Sequence, residues 1–310
     1  METMYKPEGN LLRIDEIKEI ASDIKLLEKA RATGRILEGR AVVCDNEHNL
    51  IVDFGGLRGI IPREEAAIGI SDGSVRDIAI ITRVNKPVCF KVTDIIRKRE
   101  NESCLYLSRK AAQEECKHHI IENARIGDIV EARITHLEPF GAFADIGCGI
   151  IALISIDNIS VSRISHPSDR FTIGQHIYAV ISDIDQQTGR ICLSHKELLG
   201  TWEQNAERFS AGQTVAGIIR SIEEYGVFVE LAPNLAGLAE YRDGLTIGQS
   251  AAVYIKNIIP EKMKIKLSII DAFENEYADR NYKYYITEGR LNRWRYSPEY
   301  CEKKIETVFG

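Results

Sequence analysis

Residues 138–147 read EPFGAFADIG, a pattern typical of the bend and second strand of a small β-barrel. Small and large residues alternate as they do in a β-strand, which puts Ala142 and Ala144 on one face and Phe143 and Asp145 on the other. The alanine face is predicted to pack against a core. Phe143 is then a large aromatic side chain on the outward face, where its apolar surface indicates a binding partner.

The same pattern recurs in residues 223–231, which read EEYGVFVEL, and it puts Phe228 and Glu230 on the outward face. The sequence around each stretch aligns with the other. Gly127 corresponds to Gly212 and Gly141 to Gly226, and both pairs are 85 residues apart (212 − 127 and 226 − 141). The chain therefore contains two copies of one block.

Later motifs in the two blocks are closer together. Residues 173–175 align with 247–249, and residues 189–194 with 263–268, at a separation of 74 (248 − 174). The later of these two blocks is therefore 11 residues shorter (85 − 74). It lacks the segment that matches residues 157–167 of the earlier one.

A further block, which precedes these two in the sequence, aligns with them more loosely and makes them the second and third of three. Residues 52–54 match 144–146, and residues 106–110 match 192–196. Such repetition indicates one structural unit copied in tandem. Each unit has about five strands in roughly 70 residues, with an irregular or helical connection after the third, which is typical of an OB-type barrel.

The predicted fold class is mainly β, with three tandem five-stranded OB-fold barrels, an N-terminal helix, helical connectors and a C-terminal α-helical or irregular extension. The predicted divisions are residues 1–36 for the N-terminal helix, 37–123 for a divergent barrel and its connector helix, 124–210 for the second barrel and its connector, 211–271 for the shortened third barrel, and 272–310 for an aromatic-rich extension.

Three local expectations accompany this division. Apolar residues at helical spacing predict one helix over residues 10–32, which packs on the first barrel or, in the alternative, binds a partner. Residues 79–82 read as a strand of the first barrel. Trp294 and the tyrosines around it argue against a disordered tail and predict that the extension docks on the third barrel.

Composition limits the classes of function. The formal net charge of −6 argues against a nucleic-acid binder that depends on bulk positive charge. Seven dispersed cysteines without a C-x-x-C pair argue against a disulfide framework or a zinc ribbon. No apolar run approaches the ~18 residues of a membrane helix, so no membrane contact and a cytoplasmic location are expected.

The quoted motifs resemble those of the S1-type RNA-binding domain of the OB fold. That pattern includes a Gly near the start of strand one, aromatic-Gly-x-Phe in strand two, Gly-Gln before strand four and Arg-Ile-x-Leu-Ser at strand five. Residues 125–200 match it most fully, residues 211–271 are a shortened match, and residues 37–110 diverge. The whole chain resembles short bacterial relatives of ribosomal protein S1 with three tandem domains.

The resemblance implies that single-stranded RNA crosses the face formed by strands two and three, where bases stack on exposed aromatic side chains. Carried over to this chain, the implied RNA-binding residues are Phe140, Phe143, Ser155, His166, Asp185 and Arg190 in the second barrel and Tyr225, Phe228 and Lys264 in the third. The aromatic residues form the stacking platforms. Arg190 and Lys264 would meet a phosphate, with Asp185 just before Arg190.

The family's pattern has a His where this chain has Ser155 and Glu240. Ser155 keeps a hydrogen-bonding group, and His166 with Arg163 would partly replace the missing His. Glu240 is expected to weaken binding in the third barrel. The alternatives remain that Phe143 packs against a neighbouring domain and that the basic residues at strand five are only solvated.

The first barrel lacks the platform, because His48 and Ile51 occupy the positions of Phe140 and Phe143. We expect it to contact a protein or to pack against the second barrel instead. In the extension, the run at residues 290–296 would form a docked helix or turn or, in the alternative, a further surface for stacking and phosphate contact.

The predicted function is non-enzymatic binding of single-stranded RNA, with mRNA near the ribosome as the favoured target. We find no catalytic set, no cofactor motif and no metal site, since Cys116, His118 and His119 fall on different faces of one helix. The predicted partners are single-stranded RNA and the ribosome, and the oligomeric state stays open. The alternative is a ribosome- or protein-docking scaffold that has largely lost RNA affinity. Residues 124–200 motivate it, with nine acidic residues against six Lys and Arg.

Overall fold

The structure is a computed structural model of the 310-residue chain, and it describes residues 5–54, 57–97, 103–274 and 282–310. The chain folds into two compact units. The first unit comprises residues 1–124, 131–133 and 145–151, and the second comprises residues 125–130, 134–144 and 152–310.

The first barrel is closed, with the strand order β1-β2-β3-β5-β4. Its β3 and β5 run parallel, and its other strand pairs are antiparallel. The strands are β1 (Leu37–Cys44), β2 (Leu50–Phe54), β3 (Leu57–Ile61), β4 (Pro87–Arg97) and β5 (Ser103–Ser108). The helices of this part are α1 (Asp15–Ser22), α2 (Ile24–Thr33), α3 (Ile78–Ile81) and α4 (Arg109–Asn123), with 3-10 turns at Leu11–Arg13 and Arg63–Glu65.

The N-terminal helix is broken, so the prediction of one helix over residues 10–32 is wrong. Asp23 has an extended backbone, and its carboxylate accepts a hydrogen bond from the backbone N–H of Lys25 at 2.8 Å. It therefore caps α2, because Asp satisfies a free N–H at a helix start better than it continues a helix. The packing was predicted correctly, since Ile17 and Leu27 are buried in the core of the first barrel.

Two elements of the first barrel differ from the prediction. Residues 79–82 are not a strand, because they overlap the helix α3 that connects β3 to β4. The periodicity of a short apolar run does not distinguish a strand from a helix. In α3 only Ile80 is buried. The actual third strand, Leu57–Ile61, carries a central Gly that lowers strand propensity, and the sequence pattern missed it.

The second and third barrels repeat the first. Their strand orders are β10-β8-β7-β6-β9 and β11-β12-β13-β15-β14, and both are closed. The strands are β6 (Ile129–Glu138), β7 (Gly141–Asp145), β8 (Ile151–Ser155), β9 (His176–Asp185) and β10 (Arg190–Ser194), then β11 (Thr214–Glu223), β12 (Gly226–Ala232), β13 (Leu235–Ala239), β14 (Ser250–Ile259) and β15 (Lys264–Phe273). The predicted fold class of tandem five-stranded barrels is confirmed.

Short helices connect these strands. They are α5 (Trp202–Ala206) and the 3-10 turns Ile156–Asn158, Pro167–Asp169, Lys196–Leu199 and Pro260–Lys262. Across the part of the chain that the structure describes, no helix combines the length and the apolar character needed to cross a membrane.

Within residues 282–310 the C-terminal extension forms a small sheet and no helix. β16 (Arg293–Arg295) pairs with β17 (Glu306–Val308) in an antiparallel arrangement. Trp294 and Tyr296 are buried among core residues of the third barrel, which confirms the predicted docking there. Phe309 packs with Val180 of the second barrel as well, so the extension contacts two barrels rather than one.

Two carboxylates that were predicted on outward strand faces are buried. Asp145 is 2% exposed and accepts a hydrogen bond from the backbone N–H of Glu8 at 2.7 Å. Glu230, at the matching place in the third barrel, is 6% exposed and pairs with Arg170 and Arg220. Strand alternation gives the face of a side chain but not the segment that covers that face, so the sequence alone missed both contacts.

Candidate nucleic-acid interface

Two phenylalanines form an open aromatic pair on the second barrel. Phe140 lies at the bend between β6 and β7 and is 56% exposed, while Phe143 is half-buried on β7 between the buried Ala142 and Ala144. The ring centroids are 6.0 Å apart with an interplanar angle of 89°, which is an edge-to-face contact. The contact orients both rings and leaves most of Phe140 available for a ligand.

Gly141 explains how this pair is held beside the end of β8. A Cβ at this position would run into the carbonyl oxygen of Ile154, so only glycine allows β7 to approach so closely. The backbone N–H of Ile156 then donates to the carbonyl oxygen of Phe140 at 2.9 Å. Ser155, the half-buried last residue of β8, therefore lies next to the aromatic pair.

A third ring stands beside this pair, and the sequence interpretation missed it. The His136 imidazole lies 6.2 Å from the Phe143 ring, with an interplanar angle of 30°. Its Nε2 is 2.6 Å from a carboxylate oxygen of Glu138. The aligned residue of the third barrel is Ser221, which pairs with Phe228 across β11 and β12, so no repeated aromatic residue marked position 136 in the sequence.

The third barrel carries the same aromatic pair. Tyr225 is 69% exposed at the bend before β12, and Phe228 is half-buried on that strand. Their ring centroids are 6.2 Å apart with an interplanar angle of 86°. Gly226 repeats the close approach, because a Cβ there would run into the carbonyl oxygen of Ala239, and its φ of +152° also favours glycine.

Glu240 is paired with a cation. Lys256 donates to its carboxylate at 2.8 Å, and this hydrogen bond, followed by the positive charge, lowers the pKa of Glu240 below its ordinary value. Lys256 lies at a β-bulge between Ile255 and Asn257, and such irregularities re-aim a side chain. The ion pair reduces the repulsion that an isolated carboxylate would exert on a phosphate.

The strand register places a lysine beside the third-barrel pair. Phe228 pairs with Leu238 on β13, and Leu238 pairs with Lys266 on β15. Lys266 and Lys264 are both exposed on the same strand. The sequence interpretation selected Lys264, yet Lys266 stands in the row of Phe228, and alternation along β15 was the signal that pointed to it.

The matching row of the second barrel has the opposite charge. Leu153 on β8 pairs with Cys192 on β10, and Cys192 pairs with the exposed Asp183 on β9. Arg190 is exposed at the start of β10, opposite Asp185. The second barrel therefore has one arginine near this row where the third has two lysines.

Asp185 shapes a turn. Its carboxylate accepts hydrogen bonds from the backbone N–H groups of Gln187 and Thr188 and from the Thr188 hydroxyl, at 2.8, 3.1 and 2.5 Å. The hydroxyl bond and then the backbone bonds lower the pKa of Asp185. The side chain therefore supports the hairpin that presents Arg190.

His166 also has a local structural contact. Its Nδ1 accepts a hydrogen bond from the backbone N–H of Ser168 at 3.1 Å. The Asp169 carboxylate in turn accepts from the His166 backbone N–H at 3.3 Å. These bonds form a capping box around the 3-10 turn Pro167–Asp169 rather than joining His166 to the aromatic pair.

The first barrel presents a different surface at the same place. His48 lies in a turn with a left-handed backbone, φ +64°. Ile51 pairs with the exposed Val43 on one side and Ile60 on the other, and Ile60 pairs with Tyr106. The row is mostly aliphatic, so the described residues of this barrel hold no edge-to-face aromatic pair like those of the other two.

The histidines and the cysteine of α4 have separate contacts. His118 lies 3.1 Å from Glu122, His119 stacks on Tyr5 at 4.4 Å, and Cys116 is buried. Among residues 5–54, 57–97, 103–274 and 282–310, no group of three or more His, Cys, Asp or Glu side chains is placed to hold a metal ion.

Residues 123–196 match the family model of the S1 RNA binding domain. The second barrel is an S1 domain. With the closed barrels on either side of it in the sequence, the chain has the tandem S1-type architecture that its repeats predicted.

The similarity to curated proteins extends beyond that barrel. Small ribosomal subunit protein bS1 of Rhizobium meliloti is 28% identical over 73% of this chain and 41% of its own length. The bS1 homolog of Bacillus cereus is 30% identical over 76% of this chain and 63% of its own. The chain thus spans roughly half the length of these relatives.

A solved multidomain protein with nucleic acid binding domains from Streptococcus pneumoniae aligns over 77% of this chain and 74% of its own length. The identity is 13% and the TM-score is 0.25.

Proposed function

We propose that the chain binds single-stranded RNA through the aromatic pairs Phe140/Phe143 and Tyr225/Phe228. The observation that carries the proposal is the repetition of one geometry in two barrels. In both, an exposed ring meets a half-buried ring edge to face, at 6.0 and 6.2 Å. Exposed aromatic surface is unfavourable in water unless a ligand covers it, and the flat face of a base is such a ligand.

The similarity to bS1 supports a role for this binding in translation. Those relatives are named as proteins of the small ribosomal subunit. We infer that the RNA is mRNA and that binding takes place in the cytoplasm at or near the ribosome. The function is binding without a chemical step, and Ser155, Arg190 and Lys264 serve as polar contacts to the strand.

Stacking, rather than bulk charge, supplies most of the affinity in this proposal. Residues 124–200 contain nine Asp and Glu and six Lys and Arg, and residues 211–271 contain seven and six. Neither barrel has a strong positive field, so few counterions are released when RNA binds. Salt dependence should therefore be modest, and it should be steeper in the third barrel, where Lys266 lies in the row of Phe228 and Lys264 is exposed on the same strand.

The test is a comparison of two double variants of the full chain. Phe143→Ala with Phe228→Ala removes one ring from each pair, and each lost stack costs about 1–3 kcal/mol. We expect affinity for oligouridine to fall at least tenfold in fluorescence anisotropy. Ile173→Ala with Ile247→Ala is the matched control, because these two exposed aliphatic residues lie at aligned positions before β9 and β14.

The control should bind as the wild type does. Equal affinity of the aromatic variant and the wild type would eliminate stacking as the binding mode. Equal losses in both variants would show that exposed apolar area, rather than the aromatic pairs, is responsible.

A docking scaffold is the second candidate, and the aliphatic row of the first barrel favours it. Val43 pairs with Ile51, which occupies the position of Phe143, and it is exposed. In this case the wild type would bind no oligonucleotide at low salt. It would still sediment with purified small ribosomal subunits, and Val43→Glu would abolish that association.

A further inference from the structure

The loop between β12 and β13 of the third barrel is held by groups of the second barrel and its connector. Asn234 in this loop is fully buried. Its side-chain oxygen accepts from the backbone N–H of Val161 at 3.0 Å, and its side-chain nitrogen donates to the carbonyl oxygens of Lys196 and Gly200 at 2.8 and 3.2 Å. One amide thus satisfies three backbone groups from two other segments.

A buried ion pair lies beside this amide. Arg170 of the second barrel, 2% exposed, pairs with Glu230 of β12 and also donates to the carbonyl oxygen of Pro233 at 3.2 Å. Arg220 on β11 donates to both carboxylate oxygens of Glu230 at 3.1 and 3.2 Å. Breaking such a pair would leave an uncompensated buried charge, which makes the arrangement resistant to local opening.

The C-terminal extension joins the same set of contacts. The Tyr296 hydroxyl donates to the carbonyl oxygen of Asn234, and the Tyr282 hydroxyl donates to that of Arg170. The backbone N–H of Trp202, in the connector between the barrels, donates to the carbonyl oxygen of Tyr296 at 3.0 Å. Residues 282–310 therefore contact both sides of this junction.

Further contacts attach the extension to the second barrel. The Tyr284 hydroxyl lies 3.0 Å from His195 Nε2, and it accepts from the backbone N–H of Tyr178 at 3.3 Å. Burial lowers the pKa of His195 to about 4, so the imidazole is neutral at physiological pH. The backbone N–H of Leu291 donates to the carbonyl oxygen of Gly127 at 2.8 Å.

We propose that residues 282–310, with Asn234 and the Arg170–Glu230 pair, hold the second and third barrels as one binding unit, so that a single RNA strand occupies both aromatic pairs. This inference rests on the proposed function. The three named side chains are positioning residues, because they act on RNA only by setting the spacing of the two pairs. A constant spacing raises the effective concentration of the second site once the first is occupied.

The test measures the affinity of the wild type and of two variants for a short and for a long RNA. Asn234→Ala removes three hydrogen bonds of the junction, and Tyr296→Phe removes one with almost no change in volume. For a short oligouridine that one barrel can hold, about 4–8 nucleotides, we expect both variants to match the wild type. For an oligonucleotide of about 30 nucleotides we expect the affinity of Asn234→Ala to fall tenfold or more, and that of Tyr296→Phe by less.

Arg293→Ala is the control within the extension, because the Arg293–Glu306 ion pair is exposed on the small sheet and contributes little. It should leave both affinities unchanged. A general loss of folding would lower the affinity for short and long RNA alike. That result in both Asn234→Ala and Tyr296→Phe, or no change in the affinity of either variant for long RNA, would overturn the proposal.

A second readout does not depend on RNA. Hydrogen exchange should show the cores of the second and third barrels opening together in the wild type and separately in Asn234→Ala. If the wild type binds no RNA, the proposed function fails. Joint opening would then still establish the structural unit, whereas separate opening in the wild type would refute it.

Discussion

The second and third barrels present the same aromatic pair in different surroundings. The second adds His136 as a third ring and has Ser155 beside the pair, with Asp183 in the row that matches the one holding Lys266 in the third barrel. The third has Ser221 in place of the histidine and adds the Glu240–Lys256 ion pair and two exposed lysines on β15. The repeat has thus kept the geometry that suits stacking, while the charge around it has changed from acidic to basic.

This difference separates two contributions to binding that usually vary together. On our account the second barrel relies on ring contacts, which depend little on salt, and the third relies more on cations, which depend on it strongly. The sequence interpretation ranked the third barrel as the weaker site because of Glu240. In the structure Lys256 pairs with that carboxylate. The difference in RNA affinity between the two barrels should therefore be smaller than Glu240 alone suggested.

The largest effect is expected at the glycines that bring β7 onto β8 and β12 onto β13. Gly141→Ala and Gly226→Ala both place a Cβ against a backbone carbonyl oxygen. We expect each to lower the free energy of unfolding by about 1–3 kcal/mol in urea titrations, with the larger loss for Gly226 because its φ is +152°.

Gly244→Ala separates the two causes. Gly244 has a φ of +79° but open space around its Cβ position, so its substitution reports backbone strain without a steric clash. A loss at Gly244 as large as that at Gly226 would show that the close approach of the strands does not matter. No loss at Gly141 would remove the explanation for how Phe140 is held.

The next largest effect is expected from exchanging the residues beside the aromatic pairs, which are Ser155 in the second barrel and Glu240 in the third. Ser155→Glu places a carboxylate in the second barrel, where Ser182, rather than a lysine, occupies the position that aligns with Lys256. We expect RNA affinity to fall by on the order of 1 kcal/mol, or about fivefold. Glu240→Ser releases Lys256 and should raise affinity and steepen its salt dependence.

Titrations at several salt concentrations check this exchange. Ser155→Gln is the uncharged control, and it should lose less affinity than Ser155→Glu. If Ser155→Glu binds RNA as the wild type does, Ser155 does not face the bound strand.

The smallest effect is expected at the turn that carries Asp185. Because its hydrogen bonds lower the pKa of the folded form below 3.8, Asp185 contributes stability at pH values above 3.8. That contribution is lost as the pH falls through the lowered pKa. The matching position of the third barrel is Ile259, so its hairpin should not change in the same range.

Carboxyl-carbon NMR shifts followed from pH 6 to pH 2 measure this directly. Thr188→Ala removes the strongest bond and should raise the pKa of Asp185 toward 3.8. A midpoint for the wild type at or above 3.8 would contradict the assigned role of the turn.

Local patterns predicted the barrels and the outward faces of Phe143 and Phe228, whereas the family resemblance added Phe140 and Tyr225. Alternation along β7 and β12 placed Phe143 and Phe228 outward, and repeats at set separations indicated tandem units. The prediction of a strand at residues 79–82 failed because the four apolar residues of α3 fit a strand and a helix equally well. The prediction of one unbroken N-terminal helix failed because Asp23 caps α2, although the stripe of apolar residues continues past it.

Contacts between distant segments could not be predicted in this way. Asp145 and Glu230 stand on outward faces by alternation, and they are buried only because other segments cover them. His166 was selected for its chemistry, yet its turn uses that chemistry locally. Lys266 was missed because its neighbour Lys264 matched the family's motif, whereas strand register decides which lysine lies beside Phe228.

Photo-crosslinking with mass spectrometry tests whether RNA stacks on the two aromatic pairs. A 4-thiouridine-containing single strand bound to the full chain should crosslink at or beside Phe140, Phe143, Tyr225 and Phe228. Crosslinks confined to the first barrel, or spread evenly over all three barrels, would contradict the account.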